Sequence, residues 1–129
     1  MALPTVTLCI PVYAPRPHHL ERLLASIAAQ DHDGVDVVLT DDSGTAGLEE
    51  LVEGCGLART AVVHNPRRLG MVANWNEAGR HATGELMMVL GQDDELGEGL
   101  IARYLAAFAH VPEAVACSSG EVWIDDEDH

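Results

Sequence analysis

The chain has 129 residues and a net charge of −14, with 21 acidic residues against 7 basic ones, all of them arginine. This length suits one domain, and this charge opposes binding to nucleic acids, which calls for clustered Lys and Arg. No apolar run approaches the roughly 20 residues of a membrane-spanning helix. Cys9, Cys55 and Cys117 are widely spaced and lack metal-ligand spacing, which indicates reduced core thiols and a cytoplasmic protein.

Strand and helix patterns alternate in the first half of the chain. The apolar run 5–10 predicts a buried strand, and the helical stripe within 20–28 predicts a helix lying on a sheet. A second strand is predicted at 35–40, and the apolar positions within 48–55 predict a second helix.

The second half repeats this alternation. We predict strands at 60–64 and 85–90, separated by a helix over 71–82 that buries Met71, Trp75, Ala78 and Ala82. A fourth helix is predicted over 100–108 and is ended by Pro112. The apolar segments 114–119 and 121–124 predict final strands.

This alternation predicts an α/β fold. Strands separated by helices of about ten residues indicate βαβ units, and near-continuous apolar strands indicate a sheet covered on both faces. We therefore expect residues 1–129 to form a single domain with a Rossmann-like, doubly wound, mostly parallel sheet. Ligands of such sheets bind at the carboxyl ends of the strands.

Polar segments follow the predicted strands at this edge. They contain Pro11, Val12 and Tyr13, then Asp41, Asp42 and Ser43, then Arg67, Arg68 and Gly70, and finally Gln92, Asp93 and Asp94. Each segment alone suits an ordinary turn. Together they bring two acidic pairs and two arginines to one edge, where carboxylates could hold Mg²⁺ and guanidinium groups could bind phosphate.

The span 65–96 carries an ordered set of landmarks that resembles the nucleotide-sugar-binding half of family 2 glycosyltransferases, which are inverting enzymes with a GT-A fold. The landmarks are Asn65, Gly70, Asn76, Gly79, Ala82, Gly84, Glu85, Asp93 and Asp94. The chain departs from the family pattern at Gly91, the place of the first Asp of the D-x-D motif. Trp75 stands where Arg is common, and Arg68 where Asn is common.

The resemblance implies a donor site for a UDP-, GDP- or dTDP-sugar. The implied donor-binding residues are Pro11, Val12, Tyr13, Asp41, Asp42, Ser43, Arg67, Arg68, Gly70, Asn76, Gln92 and Asp93. Asp93 and Asp94 are the implied ligands of Mg²⁺ or Mn²⁺. For Trp75 we favour core packing, because it completes an apolar helical stripe.

The family's acceptor-binding half and catalytic base would lie beyond residue 129. We therefore expect a donor-binding unit that transfers sugar slowly, or not at all, on its own. The implied acceptor is a sugar or glycolipid hydroxyl, and regions outside this chain leave room for peripheral membrane association.

Two other α/β classes fit the sequence less well, and one alternative function stays open. A receiver-like signalling domain places its acids after the first strand and needs a lysine, which this chain lacks. A dinucleotide-binding domain needs G-x-G-x-x-G after the first strand, where this chain has PVYAPRP. A non-catalytic nucleotide-binding or interaction domain derived from a transferase remains open, because of Gly91 and the absent acceptor half.

Overall fold

The computed structural model describes residues 3–127, in which strands and helices alternate along the chain. The strands are β1 (Val6–Val12), β2 (Val35–Asp41), β3 (Thr60–His64) and β4 (Leu86–Val89). The helices are α1 (Pro17–Ala28), α2 (Leu48–Gly54), α3 (Met71–Arg80) and α4 (Leu100–His110). The predicted α/β fold is confirmed, as are these eight elements to within a few residues at their ends.

The four strands form one parallel sheet in the order β3-β2-β1-β4. The sheet first grows from β1 through β2 to β3, and the chain then returns across it to place β4 on the other side of β1. This reversal puts the topological switch point between β1 and β4. A crevice at the carboxyl ends of these two strands is where open α/β sheets bind ligands.

The helices cover both faces of the sheet. Leu8, Ile10 and Val12 of β1 belong to one buried cluster with apolar residues of α1, α2 and α4. The alternate positions of β1 face α3, and there the Thr7 hydroxyl accepts hydrogen bonds from the backbone N–H groups of Thr83 and Gly84. Burying one such aliphatic side chain contributes about 1.5–3 kcal/mol to stability. Because all seven residues of β1 are buried, this strand forms the centre of the fold.

Helix α3 presents a different face to the sheet than the sequence predicts. Its buried residues are Asn74 and Ala78, whereas Met71 is 73% exposed and Trp75 is 46% exposed. The predicted burial of Met71 and Trp75 is therefore wrong. The reason is that the Asn74 side chain is held against the sheet by hydrogen bonds to two strand carbonyls, which rotates both apolar residues toward solvent.

The prediction of final strands at 114–119 and 121–124 is also wrong. This segment has no strand in the described part of the chain, and Val115 and Trp123 are 99% and 90% exposed. Within residues 3–127, no neighbouring strand supplies the hydrogen bonds that a strand there needs. Cys117 is exposed as well, so the prediction of a core thiol is wrong there, whereas Cys9 is buried and Cys55 is partly buried against the core.

None of the helices in residues 3–127 combines the length and the hydropathy of a transmembrane helix. The longest, α1, has 12 residues and packs its apolar side on the sheet.

Candidate functional site

The carboxyl edge of the sheet contains two adjoining clefts, which share Tyr13, Asp42 and Arg68. The first has a volume of about 340 Å³ and is also lined by Ser43, Gly44, Asn65 and Arg67. The second has a volume of about 320 Å³ and is also lined by Pro11, Gly70, Met71, Asn74, Trp75, Gly91, Gln92 and Asp93. The second cleft thus lies at the switch point between β1 and β4.

Most of the residues predicted from sequence to bind a donor line these clefts. They are Pro11, Tyr13, Asp42, Ser43, Arg67, Arg68, Gly70, Gln92 and Asp93. Three others do not: Val12 and Asp41 are fully buried, and Asn76 is exposed on α3 outside both clefts. Donor contact by these three is therefore not supported by their positions.

Asp41 supports the wall of the first cleft from within. Its carboxylate accepts hydrogen bonds from the backbone N–H and hydroxyl of Ser43 at 3.1 and 2.9 Å, and from those of Thr45 at 2.6 and 3.0 Å. Burial alone raises the pKa of Asp41, but these hydrogen bonds and one from His64 outweigh it and lower the pKa below 3.8. Asp41 is thus an ionised anchor for the loop that carries Ser43 and Gly44.

Asp42 fixes the loop that carries the two cleft arginines. Its Oδ1 accepts hydrogen bonds from Leu69 N at 2.7 Å and Asn65 Nδ2 at 2.9 Å, and its Oδ2 accepts one from Gly70 N at 2.9 Å. Gly70 has φ +89°, a conformation that side chains rarely adopt. Among residues 3–127, Oδ2 accepts this one bond, which leaves it a lone pair for a ligand donor.

Tyr13 and Gln92 join the ends of β1 and β4. The Gln92 amide accepts a hydrogen bond from Tyr13 N at 2.8 Å and donates one to Tyr13 O at 3.0 Å. The Arg68 guanidinium lies 4.6 Å from the centre of the Tyr13 ring, in cation–π geometry. The next residue, Ala14, has φ +41°, a strained conformation of the kind that clusters at ligand-binding sites.

Two carboxylates approach the same point at the end of β4. A Cβ atom on Gly91 would lie 2.8 Å from Asp94 Oδ2 and 3.3 Å from Asp93 Oδ1. Gly91 therefore leaves open the space into which both side chains reach, and Asp94 Oδ2 also accepts the Gly91 N–H at 2.7 Å. This oxygen donor pair, with Asp93 facing the second cleft, fits a hard divalent cation that takes its other ligands from phosphate and water.

A separate group of three ligand-type side chains lies elsewhere in residues 3–127. His18, His19 and Asp126 place ligand atoms within 4.8 Å of one another. Asp126 also forms an ion pair with Arg16 at 3.1 Å, so its carboxylate charge is already balanced by a guanidinium group. None of these residues lines either cleft.

Two asparagines and a histidine at this edge were not predicted as site residues from the sequence. Asn74 Nδ2 donates to Val12 O at 3.3 Å and to Thr40 O at 3.0 Å, and its Oδ1 accepts from Asn65 Nδ2 at 2.9 Å. The amide thus links the ends of β1 and β2 to the loop after β3. The sequence does contain one sign of this role, because Asn74 precedes Ala78 by one helical turn and so lies on the same face of α3.

His64 joins the sheet to α2 through two carboxylates. The parallel register pairs Asp41 with His64, and His64 Nδ1 lies 2.8 Å from Asp41 Oδ2. On its other side, Nε2 lies 2.6 Å from Glu49 Oε1. The hydrogen bond to Glu49 raises the pKa of His64 above 6.5, and the bond to Asp41 adds a smaller increase, because both carboxylates stabilise the imidazolium.

We expect this histidine to make the stability of the domain depend on pH. Since the folded-state pKa is raised, the stabilisation is complete below pH 6.5 and is lost as the pH rises through the folded-state value. Thermal unfolding of wild type should therefore show a Tm that declines as the pH rises from 6.5 through the folded-state pKa of His64. The Tm of His64→Gln should decline less over the same interval. The exposed His110 provides the control variant, His110→Gln, which should keep the wild-type profile. An unchanged profile in His64→Gln would contradict the assignment.

Comparison with known proteins bears on the family and the fold of this chain. The sequence model of glycosyl transferase family 2 matches residues 7–129. No curated protein sequence is significantly similar to this chain.

Several solved structures share the fold. The mannosyltransferase PcManGT from Pyrobaculum calidifontis, solved in complex with GDP-Man and Mn²⁺, is 28% identical with a TM-score of 0.65, over 77% of this chain and 30% of its own. TarS from S. aureus is 23% identical with a TM-score of 0.73, over 82% of this chain and 20% of its own. TarS 1–349 in complex with UDP is 24% identical with a TM-score of 0.70, over 83% of this chain and 32% of its own.

This chain therefore spans between a fifth and about a third of the length of these three neighbours. They share the α/β fold of this chain, and the fold is of the GT-A type. Because the family model covers nearly the whole chain and the sheet has the same architecture, the protein belongs to glycosyl transferase family 2.

Proposed function

We propose that this chain is the donor-binding unit of an inverting glycosyltransferase, which binds a nucleoside-diphosphate sugar with a divalent cation. The observation that carries the proposal is the meeting of Tyr13, Asp42, Arg68 and Asp93 in adjoining clefts at the β1–β4 switch point. Aromatic, hydrogen-bonding, cationic and metal-ligating groups are the set that a base, a ribose and a diphosphate require.

The first cleft suits the nucleoside. Tyr13 offers a ring face, and Asp42 Oδ2 and the Ser43 segment offer polar contacts around it. The loop with Ser43 and Gly44 is held by Asp41, so the cleft is formed before a ligand arrives. A preformed cleft loses less conformational entropy on binding.

The second cleft suits the diphosphate. In a chain of net charge −14, an anionic donor needs local positive charge, which Arg68 supplies to both clefts and Arg67 to the first cleft. Asp93 and Asp94 would hold Mg²⁺ or Mn²⁺ in addition. When bound, such a cation neutralises the charge that grows on the departing nucleoside diphosphate.

The proposed reaction is a single displacement. The acceptor hydroxyl oxygen forms a bond to the anomeric carbon as the bond from that carbon to the diphosphate oxygen breaks, and a carboxylate base takes the hydroxyl proton. We place this base and the binding site for a sugar or glycolipid acceptor in chain beyond residue 129. The greater length of the structural neighbours supports this placement. The free thiols favour a cytoplasmic donor site.

A panel of nucleotides tests the proposal. UDP, GDP, dTDP and ADP are each added with Mn²⁺ or Mg²⁺, and Tm is compared with that of the protein with metal alone. At ten times its Kd, the correct nucleotide should contribute about 1.4 kcal/mol and raise Tm by about 4 °C. EDTA should remove most of this rise. Failure of every nucleotide to raise Tm would overturn the proposal.

A second candidate is a non-catalytic nucleotide-binding domain derived from a transferase. Gly91 favours it, because the usual first Asp of the metal motif is absent and Asp94 is bound to the Gly91 N–H. The two candidates differ in turnover by the full-length protein. A non-catalytic domain binds the nucleotide without hydrolysing or transferring any sugar.

A further inference from the structure

Trp75 is the unexplained residue of the second cleft. It lines this cleft with Gly91, Gln92 and Asp93, and nearly half of its surface is exposed. Met71 stands one helical turn earlier on α3, lines the same cleft and is more exposed still. Two large apolar side chains thus form an open wall beside the proposed cation site.

Burial in the core does not account for this wall. The sheet-facing positions of α3 are taken by Asn74 and Ala78. Holding a tryptophan half in water forgoes much of the stabilisation that its burial would provide. An aromatic side chain that lines a cleft together with a few converging polar groups is typical of a ligand-binding surface.

The order of groups along the clefts indicates what would lie on Trp75. Ser43, Gly44 and Arg67 line only the first cleft, whereas Trp75, Gly91 and Asp93 line only the second. A donor whose nucleoside lies in the first cleft and whose diphosphate lies at Asp93 leaves its sugar to the rest of the second cleft. The large apolar side chains that line this cleft and that the nucleoside and diphosphate do not use are Trp75 and Met71.

We propose that Trp75, supported by Met71, is a specificity-determining residue that stacks on the donor sugar and selects an uncharged one. This inference rests on the proposed function. A pyranose ring has a C–H face that packs against an aromatic ring, whose face is electron-rich. The charged residues that line this cleft are Asp42, Arg68 and Asp93, and the diphosphate and its cation would occupy Arg68 and Asp93, so the lining offers a sugar carboxylate no further cationic side chain.

The test compares the sugar nucleotide with the bare nucleotide. UDP with UDP-glucose, and GDP with GDP-mannose, are titrated calorimetrically with Mn²⁺ into wild type, Trp75→Ala and Trp75→Phe. Trp75→Ala should bind the sugar nucleotide roughly 3- to 10-fold more weakly, the range expected for one aromatic contact, and should bind the bare nucleotide unchanged. Trp75→Phe should keep most of the affinity. Val115→Ala, at an exposed apolar position outside the clefts, is the control and should match wild type.

Fluorescence gives a second readout. In a Trp123→Phe background, Trp75 is the remaining tryptophan, and the sugar nucleotide should change its emission more than the bare nucleotide does. Wild type should also bind UDP-glucose more tightly than UDP-glucuronate. Equal losses for sugar nucleotide and bare nucleotide in Trp75→Ala, or no loss, would overturn the sugar-stacking role while nucleotide binding stands. Absence of nucleotide binding in wild type would instead overturn the proposed function.

Discussion

Asp93→Asn is expected to weaken Mn²⁺-dependent binding of a nucleoside diphosphate by about 30-fold or more. The substitution keeps the shape of the side chain but removes the charge that faces the second cleft, and losing one partner of a close charge pair costs about 2–5 kcal/mol. Calorimetric titration with and without Mn²⁺ measures the loss. Binding without metal should change little, because the arginines and Tyr13 are untouched.

The matched control for this variant is Glu98→Gln. Glu98 is an exposed acid a few residues further along the chain, and it does not line either cleft. The Glu98→Gln variant should bind nucleotide and metal with wild-type affinity. If Asp93→Asn bound the nucleotide with Mn²⁺ as tightly as wild type, the cation site would have to lie elsewhere. If both variants lost the same affinity, the loss would reflect the change in net charge and not a contact of Asp93.

Asp41→Ala is expected to lower the free energy of unfolding by about 3 kcal/mol, a large part of the roughly 5–15 kcal/mol typical of a domain. The carboxylate is fully buried and accepts hydrogen bonds from Ser43, Thr45 and His64. Its removal leaves the backbone N–H groups of Ser43 and Thr45 without this acceptor. It also removes one of the two carboxylates that bind the His64 imidazolium. Urea unfolding measures the change.

The exposed Asp33 gives the control for the loss of an aspartate. Asp33→Ala should change the free energy of unfolding by no more than about 0.5 kcal/mol, as surface substitutions usually do. The Asp41 variant should also bind nucleotide more weakly, since the Ser43 loop loses its anchor. A stability equal to wild type in Asp41→Ala would contradict the anchoring role.

The sheet was predictable because its strands are nearly continuous apolar runs. The seven residues of β1 are all buried, so no alternation with polar residues obscures the strand. The polar residues in the loops after β1, β2 and β4 were predictable as neighbours for the same reason. Parallel strands carry their carboxyl ends to one edge, and this brought Tyr13, Asp42 and Asp93 together without further information.

The role of each side chain was less predictable, because it depends on contacts between segments far apart in sequence. Asp41 and Asp42 are adjacent and chemically identical, yet one is an internal anchor and the other lines the clefts. Helix α3 is rotated by the hydrogen bonds of Asn74 to β1 and β2, which periodicity within the helix does not contain. That rotation exposes Trp75 to the cleft.

The fate of residues 114–124 shows the limit of local propensity. Val122 and Trp123 favour a strand by residue type, but both are largely exposed in the structure. A strand is stable only where a neighbour completes its hydrogen bonds, and propensity alone does not report whether one is present.

The most direct test of the central claim is an NMR titration of the ¹⁵N-labelled protein, whose 13.8 kDa suits the method. UDP or GDP with Mg²⁺ should shift the amide signals of Tyr13, Ser43, Arg68 and Gln92, and replacing Mg²⁺ with Mn²⁺ should broaden those of Gly91 to Asp94 most. Shifts confined to the region around His18 and His19, or no shifts with any nucleoside diphosphate, would contradict a donor site at the carboxyl edge of the sheet.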